Sequence, residues 1–350
     1  MNAGGVRLVF AFAATLAAGC VMRPVQVGAA RTFPSPTPDA APGGGAGLYR
    51  ITKVSELSRF TGPIDLSSVS MVGGDRYLAA SDSDGLLAEL ELGIDRMTGR
   101  LTGFRCVRTT RLAGAVDAEG AAYDPLTGHV WIADEADVSI REYDLSGIRR
   151  RELEIPPVFR KSRPNLSFEA LALSADGLTL WTCNEEALAC DGERSTRGRG
   201  SFVRLARFVR ASAANSWRPA GQWVYRTGKV KGGPFRGVTA SGVSDLALLP
   251  DGTLLVLERE MSKTLLPRFR CRIDQVDFTG ATDVSELDSL AGADWTPVRK
   301  TRIYEEMTGR ANYEGICVGP TLAGGSVILV LVSDGDGPAT EDVMTLRLDR

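Results

Sequence analysis

Histidine is almost absent from this chain of 350 residues, which contains only His129. A single histidine, placed directly after the glycine of a predicted turn, cannot build a histidine-based phosphatase, a Ser-His-Asp triad or a zinc site with several histidines. We therefore exclude these three classes of site. The motifs G-x-S-x-G and G-x-x-x-x-G-K-[ST] are also missing, so serine hydrolases and P-loop NTPases lack their anchors. Carboxylates remain as the abundant reactive groups.

Net charge and helical periodicity are lacking as well. The formal net charge is -2 although 24% of the residues are charged, so no global field attracts nucleic acid. No long stretch carries apolar residues at helical spacing, whereas 39 glycines and 17 prolines favour many short strands joined by turns. The hydrophobic fraction of 43% is enough for one large all-β domain or two ordinary ones.

The N-terminal segment has the pattern of an export signal. Arg7 precedes an apolar run from Leu8 to Ala18 that is too short to span a bilayer. The following Gly19-Cys20 completes a sequence that resembles a bacterial lipobox, although Ala17 stands where leucine is usual. We predict a lipoprotein signal peptide at 1–19, a lipid on Cys20 and a flexible tether at 20–47, with ordinary cleavage nearby as the alternative. The protein is then exported to the cell envelope, either periplasmic or anchored to the outer membrane.

Five further cysteines would lie in a compartment that permits disulfides, and an odd number cannot all pair. Cys183 with Cys190, and Cys106 with Cys271, are two hypothetical pairs. Cys317 follows an apolar strand position and is interpreted as a buried small hydrophobe rather than a nucleophile.

One pattern recurs five times: a polar or acidic start, an apolar strand, a turn, a second apolar strand and an acidic end. The clearest copy runs from Asp117 through a turn at 124–128 to Asp134-Glu135, and the others begin near Ser67, Phe168, Ser244 and Tyr313. Repeats of roughly 40 to 50 residues are typical of propeller blades. The longer interval from Glu169 to Asp245 holds an insertion or another blade.

We therefore predict an all-β fold, a β-propeller with six blades over 48–350, of which five are visible and one is concealed. Strands near 48–54 and 343–348 are expected to share a blade and close the ring, which removes an exposed edge.

In an antiparallel hairpin, residues at equal distances from the turn are neighbours, so the acids that open and close each copy should meet at one end of the channel. The predicted pairs are Glu119 with Asp134, Glu169 with Glu185, Asp245 with Glu258, and Glu314 with Asp334.

These repeated motifs resemble a known family, the bacterial domain called esterase-like activity of phytase, or phytase-like domain. The matching pieces occur in the family's order and are Asp117 to Gly120, Phe168 to Leu173, Ser244 to Gly252, Leu255 to Arg259, Tyr313 to Gly315 and Val332 to Asp334. The resemblance covers 57–336 and implies a propeller similar to calcium-dependent phytases, with phosphoesterase activity. Lysine is scarce, so phosphate contacts would fall mainly to arginine.

The residues and the resemblance together suggest a mechanism. Converging carboxylates without histidine or thiolate favour a hard cation such as calcium. Glu119, Glu169, Asp245 and Glu314 would hold calcium, which would activate a water for attack on a phosphate ester, and Arg259 would stabilise the oxyanion. Two alternatives remain open: the acids cap backbone amides of the neighbouring blade, and Arg259 forms ion pairs with Glu258 and Glu260.

We expect a monomer that binds a small phosphorylated substrate or another small ligand, contacts the membrane only through its N-terminal lipid and binds no nucleic acid. The alternative function is a non-catalytic cell-envelope propeller that binds a ligand or a protein partner on the same acidic rim. The arginine-rich run at 191–199 is interpreted as a solvated loop, with a phosphate lid as the alternative.

Overall fold

The computed structural model describes residues 47–60, 65–82, 85–232, 239–262, 268–335 and 341–350. The predicted signal peptide, the lipidation site Cys20 and nearly all of the predicted tether lie outside the described residues. No helix in the described ranges is long and apolar enough to cross a bilayer.

Within these described ranges, twenty antiparallel strands form five four-stranded sheets, and each sheet is a blade numbered here in chain order. The first blade consists of β2 (Ser70–Gly73), β3 (Arg76–Ser81), β4 (Leu86–Ile94) and β5 (Leu101–Arg111). The second consists of β6 (Ala118–Asp124), β7 (His129–Asp134), β8 (Ser139–Tyr143) and β9 (Arg149–Glu152). The third consists of β10 (Phe168–Leu173), β11 (Thr179–Asn184), β12 (Phe202–Val209) and β13 (Arg218–Arg226). The fourth consists of β14 (Thr239–Leu248), β15 (Leu254–Ser262), β16 (Arg268–Asp277) and β17 (Arg299–Gly309). The fifth consists of β18 (Asn312–Thr321), β19 (Val327–Asp334), β20 (Glu341–Asp349) and β1 (Arg50–Phe60).

The first strand of each sheet lines a central channel, since β2, β6, β10, β14 and β18 contact one another in a closed ring. The all-β propeller is therefore confirmed, but the prediction of six blades is wrong, because the described residues form five. The described residues of the long interval between Glu169 and Asp245 form no concealed blade. This interval contains the outer strands β12 and β13 of the third blade and the long loops that flank them.

The predicted closure of the ring is confirmed. β1 pairs with β20 along almost its whole length, from Arg50 opposite Asp349 to Phe60 opposite Glu341. The fifth blade thus combines the first strand of the domain with its last three. β1 covers the edge of β20 that would otherwise be unpaired.

Hydrophobic layers between adjacent blades form the core. Trp131 lies in the layer between the second and third blades and Trp181 in the layer between the third and fourth, and both are buried. Trp181 also packs against Trp223 and Phe278, with ring centroids 5.6 and 5.1 Å away. These apolar layers stabilise the ring through burial of large side chains.

All five described cysteines are free thiols, so neither hypothetical disulfide is formed. Cys106 lies on β5 of the first blade and Cys271 on β16 of the fourth, which are not adjacent blades. Cys183 packs in the layer between the third and fourth blades, whereas Cys190 packs against the layer between the second and third. Cys317 is buried, as expected.

Ring closure also depends on a buried phenol. The hydroxyl of Tyr313 on β18 donates a hydrogen bond of 2.6 Å to Glu56 on β1. We expect Tyr313→Phe to lower the free energy of unfolding by about 2 kcal/mol, the usual net value of a hydrogen bond to a charged group. Urea denaturation measures this change. Tyr77→Phe is the matched control, because the buried Tyr77 hydroxyl has no hydrogen-bond partner in the described part of the chain. An equal loss in both variants would contradict a specific role for the Tyr313 bond.

Candidate functional site

The hairpin topology gathers one end of every inner strand at the same mouth of the channel. Each inner strand begins at this mouth and runs to a turn at the other end, and the second strand of the blade returns to the mouth. The loops that follow β7, β11, β15 and β19 therefore lie beside the starts of β6, β10, β14 and β18.

A β-bulge near the start of each of these inner strands sets the direction of one side chain. The register shift leaves one residue without a direct cross-strand partner, and this residue is Glu119, Glu169, Ser244 or Glu314. In the first blade, Leu66 pairs with Ser81 and Ser70 pairs with Leu78, so the inner strand has one extra residue between these two pairs. Ser67, which directly follows Leu66, occupies the position equivalent to the bulge residues of the other blades. Bulges of this kind redirect a side chain at the rim of a sheet. Three glutamates and two serines thus occupy the bulge ring.

A second ring follows from the same register. On the second strand of each blade, one residue lies directly opposite the inner-strand residue that precedes the bulge. The next residue along the second strand is an acid in four blades and an arginine in one. These residues are Asp82, Glu135, Glu185, Arg259 and Asp334. The two rings together carry seven carboxylates and one guanidinium around a single channel mouth.

The bulges displace three of the four predicted pairs of acids, whereas the carboxylate oxygens of Glu169 and Glu185 lie within 4.8 Å of each other, as predicted. Asp134 lies opposite Ala118 rather than Glu119, and Glu258 lies opposite Val243 rather than Asp245. On β18, Asp334 lies opposite Asn312 rather than Glu314. A bulge adds one residue to the inner strand, so counting outward from the turn loses the register at the channel mouth.

Five carboxylates converge at the mouth between the second and third blades, and we call this group the acid well: Asp117, Glu119, Glu135, Glu169 and Glu185. Carboxylate oxygens of Asp117, Glu119 and Glu135 lie within 4.8 Å of one another, as do those of Glu135, Glu169 and Glu185. Glu135 belongs to both sets and is therefore the centre of the well.

The Ser167 backbone holds the acid well in shape, with one contact to the second blade and one within the third. The Ser167 amide donates to Glu135 Oε1 at 2.7 Å, and the Ser167 carbonyl accepts from the Glu185 amide at 2.9 Å. Glycines leave room for this approach. A Cβ on Gly120 would lie 3.0 Å from the β10 backbone, and a Cβ on Gly242 would lie 2.5 Å from Glu185 Cγ. The glycine after Glu119 and the glycine two residues before Ser244 therefore permit the carboxylates to converge.

Burial and mutual repulsion raise the pKa values of three of these carboxyl groups, those of Glu119, Glu135 and Glu169. Burial, followed by the charges of Glu119 and Glu185, raises the pKa of Glu169 well above its usual value. Burial, followed by the charges of Glu314 and Asp117, raises the pKa of Glu119. The pKa of Glu135 rises to about 7, mainly through burial. The well therefore contains more carboxylates than it can keep ionised by itself.

Arg259 on β15 is the cation at this mouth. Its Nη1 pairs with Glu314 Oε1 and its Nη2 lies 3.2 Å from Glu185 Oε1. The predicted ion pairs with Glu258 and Glu260 are not the ones formed, because alternate residues of a strand face opposite sides. Glu258 and Glu260 lie on the side of the third blade, where Tyr225, Lys300 and Arg272 are their partners.

Glu314 lies beside the acid well rather than in it. Its Oε1 accepts from Arg259 and from Asn312 Nδ2, the latter at 2.8 Å. Burial raises the pKa of Glu314 to about 7, and the Arg259 charge opposes this rise. The group therefore exchanges protons near neutral pH while it remains fixed in position.

Asp245 occupies a different level of the channel. Its carboxylate accepts hydrogen bonds from the Leu246 and Ile316 amides at 2.8 Å each, and from the Leu171 amide. It thus bridges the inner strands of three blades. The neighbouring Ser244, not Asp245, occupies the bulge position. On the far side, a cavity of about 340 Å³ is lined mainly by apolar parts of the inner strands.

The structure thus brings two of the four proposed ligands, Glu119 and Glu169, into the acid well, with Glu314 adjacent and Asp245 separate. Asp117, Glu135 and Glu185 complete the well but are absent from the sequence-based ligand set. The signal that could have identified them is the doubled acid at the end of the second strand, in Asp134-Glu135 and Glu185-Glu186, together with the acid two residues before Glu119.

The donor chemistry of the acid well fits a hard divalent cation. Both sets of converging atoms consist only of carboxylate oxygens, and repulsion among them would be relieved by positive charge. His129 is remote from these sets and contacts Glu142 at 3.1 Å on the outer part of the second blade. A soft or histidine-preferring metal therefore has no suitable ligands among the residues of the well.

Five antiparallel blades around a channel with one acidic mouth define a β-propeller whose site is built from carboxylates. Residues 64–337 match the family described as phytase-like, esterase-like activity of phytase, and the chain belongs to this family. No curated protein matches the chain.

Several solved structures are similar in fold. Virginiamycin B lyase from Staphylococcus aureus, an inactive variant with quinupristin, is 12% identical with a TM-score of 0.36, and the match covers 86% of this chain and 99% of that one. Periplasmic gluconolactonase from Pseudomonas aeruginosa is 12% identical with a TM-score of 0.34, covering 76% and 80%. Hydrazine synthase from Kuenenia stuttgartiensis is 12% identical with a TM-score of 0.34, covering 78% of this chain but only 58% of its own length.

Proposed function

We propose that this protein is a calcium-dependent hydrolase of phosphate esters that acts at the acid well. The observation that carries the proposal is the convergence of five carboxylates beside a fixed arginine at the mouth of the channel, where the pKa values of Glu119, Glu135 and Glu169 are raised. Membership of the phytase-like family supports a hydrolase, and the oxygen-only donor set supports calcium.

The acid well supplies the ligands in this proposal. Glu119, Glu135, Glu169 and Glu185 would hold the cation, with Asp117 at the edge. A bound hard cation supplies Lewis-acid stabilisation of developing negative charge and makes a water molecule more acidic. Substrate binding and proton transfer would fall to residues beside the well.

Arg259 and Glu314 would serve the substrate and the proton. The Arg259 guanidinium already contacts two carboxylates, and a phosphoryl group beside the well would replace one of them as an anionic partner. When water attacks phosphorus and the ester P–O bond breaks, the leaving oxygen needs a proton. Glu314 has a pKa of about 7 and lies against Arg259, so it is the proposed donor.

Charge around the mouth favours an anionic substrate. The loop that follows Glu185 carries Arg194, Arg197 and Arg199, and all three side chains are exposed. Because this loop begins at the acid well, its cations lie on the same face of the propeller as the proposed metal ligands. Exposed cations of this kind attract anions and compensate for the acidic well.

The test is turnover by the purified propeller across a panel of phosphate monoesters, phosphate diesters and carboxylic esters, with calcium and with a chelator. We expect phosphate-ester hydrolysis that requires calcium and is fastest near pH 7, because Glu135 must be ionised to hold the cation whereas Glu314 must keep its proton to act as the donor, and both have pKa values of about 7. Turnover that persists with the chelator would contradict the metal-dependent mechanism. Calcium binding without turnover of any ester would instead support a binding propeller.

A further inference from the structure

A second group of oxygen donors lies where the last blade meets the first. Asn312 on β18 is directly opposite Asp334 on β19. The register of β19 with β20, which includes the pair Val332 and Val343, extends to place Asp334 opposite Glu341. Directly opposed residues point to the same face of a sheet, so these three side chains form a row at the channel end of the fifth blade.

The first blade faces this row. The Leu66 amide donates to the carboxylate of Glu341, and the charges of Asp65 and Asp82 act on Asp334. Asp82 occupies the same ring position in the first blade as Asp334 in the fifth and Glu135 in the second. Carboxylates of the first and fifth blades therefore lie close enough at the closure of the ring for their charges to act on one another.

Two buried oxygen atoms in the row have no hydrogen-bond partner among the described residues, Asn312 Oδ1 and Glu341 Oε2. Asn312 is 4% exposed and Glu341 is 3% exposed. The amide nitrogen of Asn312 is fully used, since it donates to Glu314 at 2.8 Å and to Asp334 at 3.4 Å. Leaving buried acceptors unsatisfied is costly, and a bound cation is a partner that such oxygens accept.

We propose that Asn312, Asp334 and Glu341, together with Asp65 and Asp82 of the first blade, form a second site for calcium. Carboxylate and amide oxygens are the ligands that calcium prefers. The site is distinct from the acid well, which lies between the second and third blades and shares no residue with it. A cation here ties the last blade to the first and so strengthens the closure of the ring, independently of any hydrolysis.

Repulsion within the row agrees with this assignment. Burial, followed by the charges of Asp82 and Asp65, raises the pKa of Asp334 to about 6. Burial, followed by the charges of Asp334 and Asp65, raises the pKa of Glu341 to about 9. Calcium would replace protons as the source of positive charge.

Calorimetry on the whole propeller tests the proposal with calcium as the probe. We expect the wild-type protein to bind two calcium ions, and both Glu135→Gln/Glu169→Gln and Asp334→Asn/Glu341→Gln to bind one. In Glu135→Gln/Glu169→Gln, saturating calcium should still raise the melting temperature by on the order of 5 °C. Adding Asp334→Asn/Glu341→Gln to that background should remove this rise. An unchanged stoichiometry in Asp334→Asn/Glu341→Gln, or no binding in Glu135→Gln/Glu169→Gln, would overturn the second site.

A milder variant keeps the test decisive if Asp334→Asn/Glu341→Gln fails to fold. Asn312→Leu retains every carboxylate and removes only the unpartnered amide oxygen and its nitrogen. In the Glu135→Gln/Glu169→Gln background we expect it to weaken calcium binding about tenfold or more, since one ligand is lost. Unchanged affinity would exclude Asn312 as a ligand. These readouts measure binding and stability, so the absence of ester turnover, which would count against the proposed function, would leave them interpretable.

Discussion

Glu169→Gln is expected to lower calcium affinity at the acid well by about 100-fold or more and to remove ester hydrolysis with it. Glutamine keeps the size of the side chain but removes one negative charge from the acid well. Glu169 belongs to one of the two groups of three converging carboxylates in this well. Glu135 and Glu185 already belong to the same group of converging carboxylates. They therefore cannot replace the charge that Glu169 loses. Isothermal calorimetry measures the affinity, and initial rates at saturating calcium measure the hydrolysis.

Glu142→Gln is the matched control for Glu169→Gln. Glu142 is also a buried glutamate, but it lies on β8 and pairs with Arg151 and His129 rather than with the acid well. The control changes the net charge by the same amount, so it separates a local ligand effect from a change in the field of the whole protein. Equal losses in the two variants would show that Glu169 is no ligand. Full activity in Glu169→Gln would remove the acid well from the mechanism.

The propeller was predictable from the sequence because each blade repeats the same local pattern. Turn residues, alternating apolar strands and acidic ends occur in five copies, and all five correspond to real hairpins. The blade count was not predictable from spacing alone. The third blade contains long loops after Asn184 and Arg226, and the distance along the chain between Glu169 and Asp245 does not distinguish loops from strands.

The composition of the site was only partly predictable. Repetition identified the acidic mouth, but a bulge shifts the register by one residue, and no residue type marks a bulge reliably. Aligning the copies by their acids therefore matched Asp245 with Glu314, whereas the backbone matches Ser244 with Glu314. The contact of Arg259 with Glu185 joins residues 74 positions apart on adjacent blades, and it depends on the missing side chain at Gly242.

Calcium and pH are expected to act jointly on stability. The pKa of Glu135 is raised from 4.5 to about 7 in the folded protein, so between these values the folded state holds more protons than the unfolded state. Without calcium, stability should therefore fall as pH rises through this range, by roughly 3 kcal/mol for Glu135 alone. The raised pKa values of Glu314 and Glu341 act in the same direction, at about 7 and about 9.

Carboxyl groups whose pKa values are lowered determine how stability falls at acidic pH. Arg151 lowers the pKa of Glu142 against the effect of burial, and Arg210 does the same for Asp124. Stability contributed by these groups is present above their unfolded pKa values and is lost as pH falls through the folded ones. Calcium-free protein should therefore be most stable near about pH 4, close to the unfolded pKa values of the carboxyl groups, because the raised groups lose stability above those values and the lowered groups below them.

Urea unfolding at pH 5.5 and pH 8, each with calcium and with a chelator, measures this linkage. We expect calcium to stabilise the propeller much more at pH 8, because protons compete for the same carboxylates at pH 5.5. Glu135→Gln should flatten the decline between the two pH values in calcium-free protein, since glutamine does not titrate. A calcium-free stability that instead rises from pH 5.5 to pH 8 would show that the carboxylates of the well are ionised without a cation, and the electrostatic reason for a metal there would be lost.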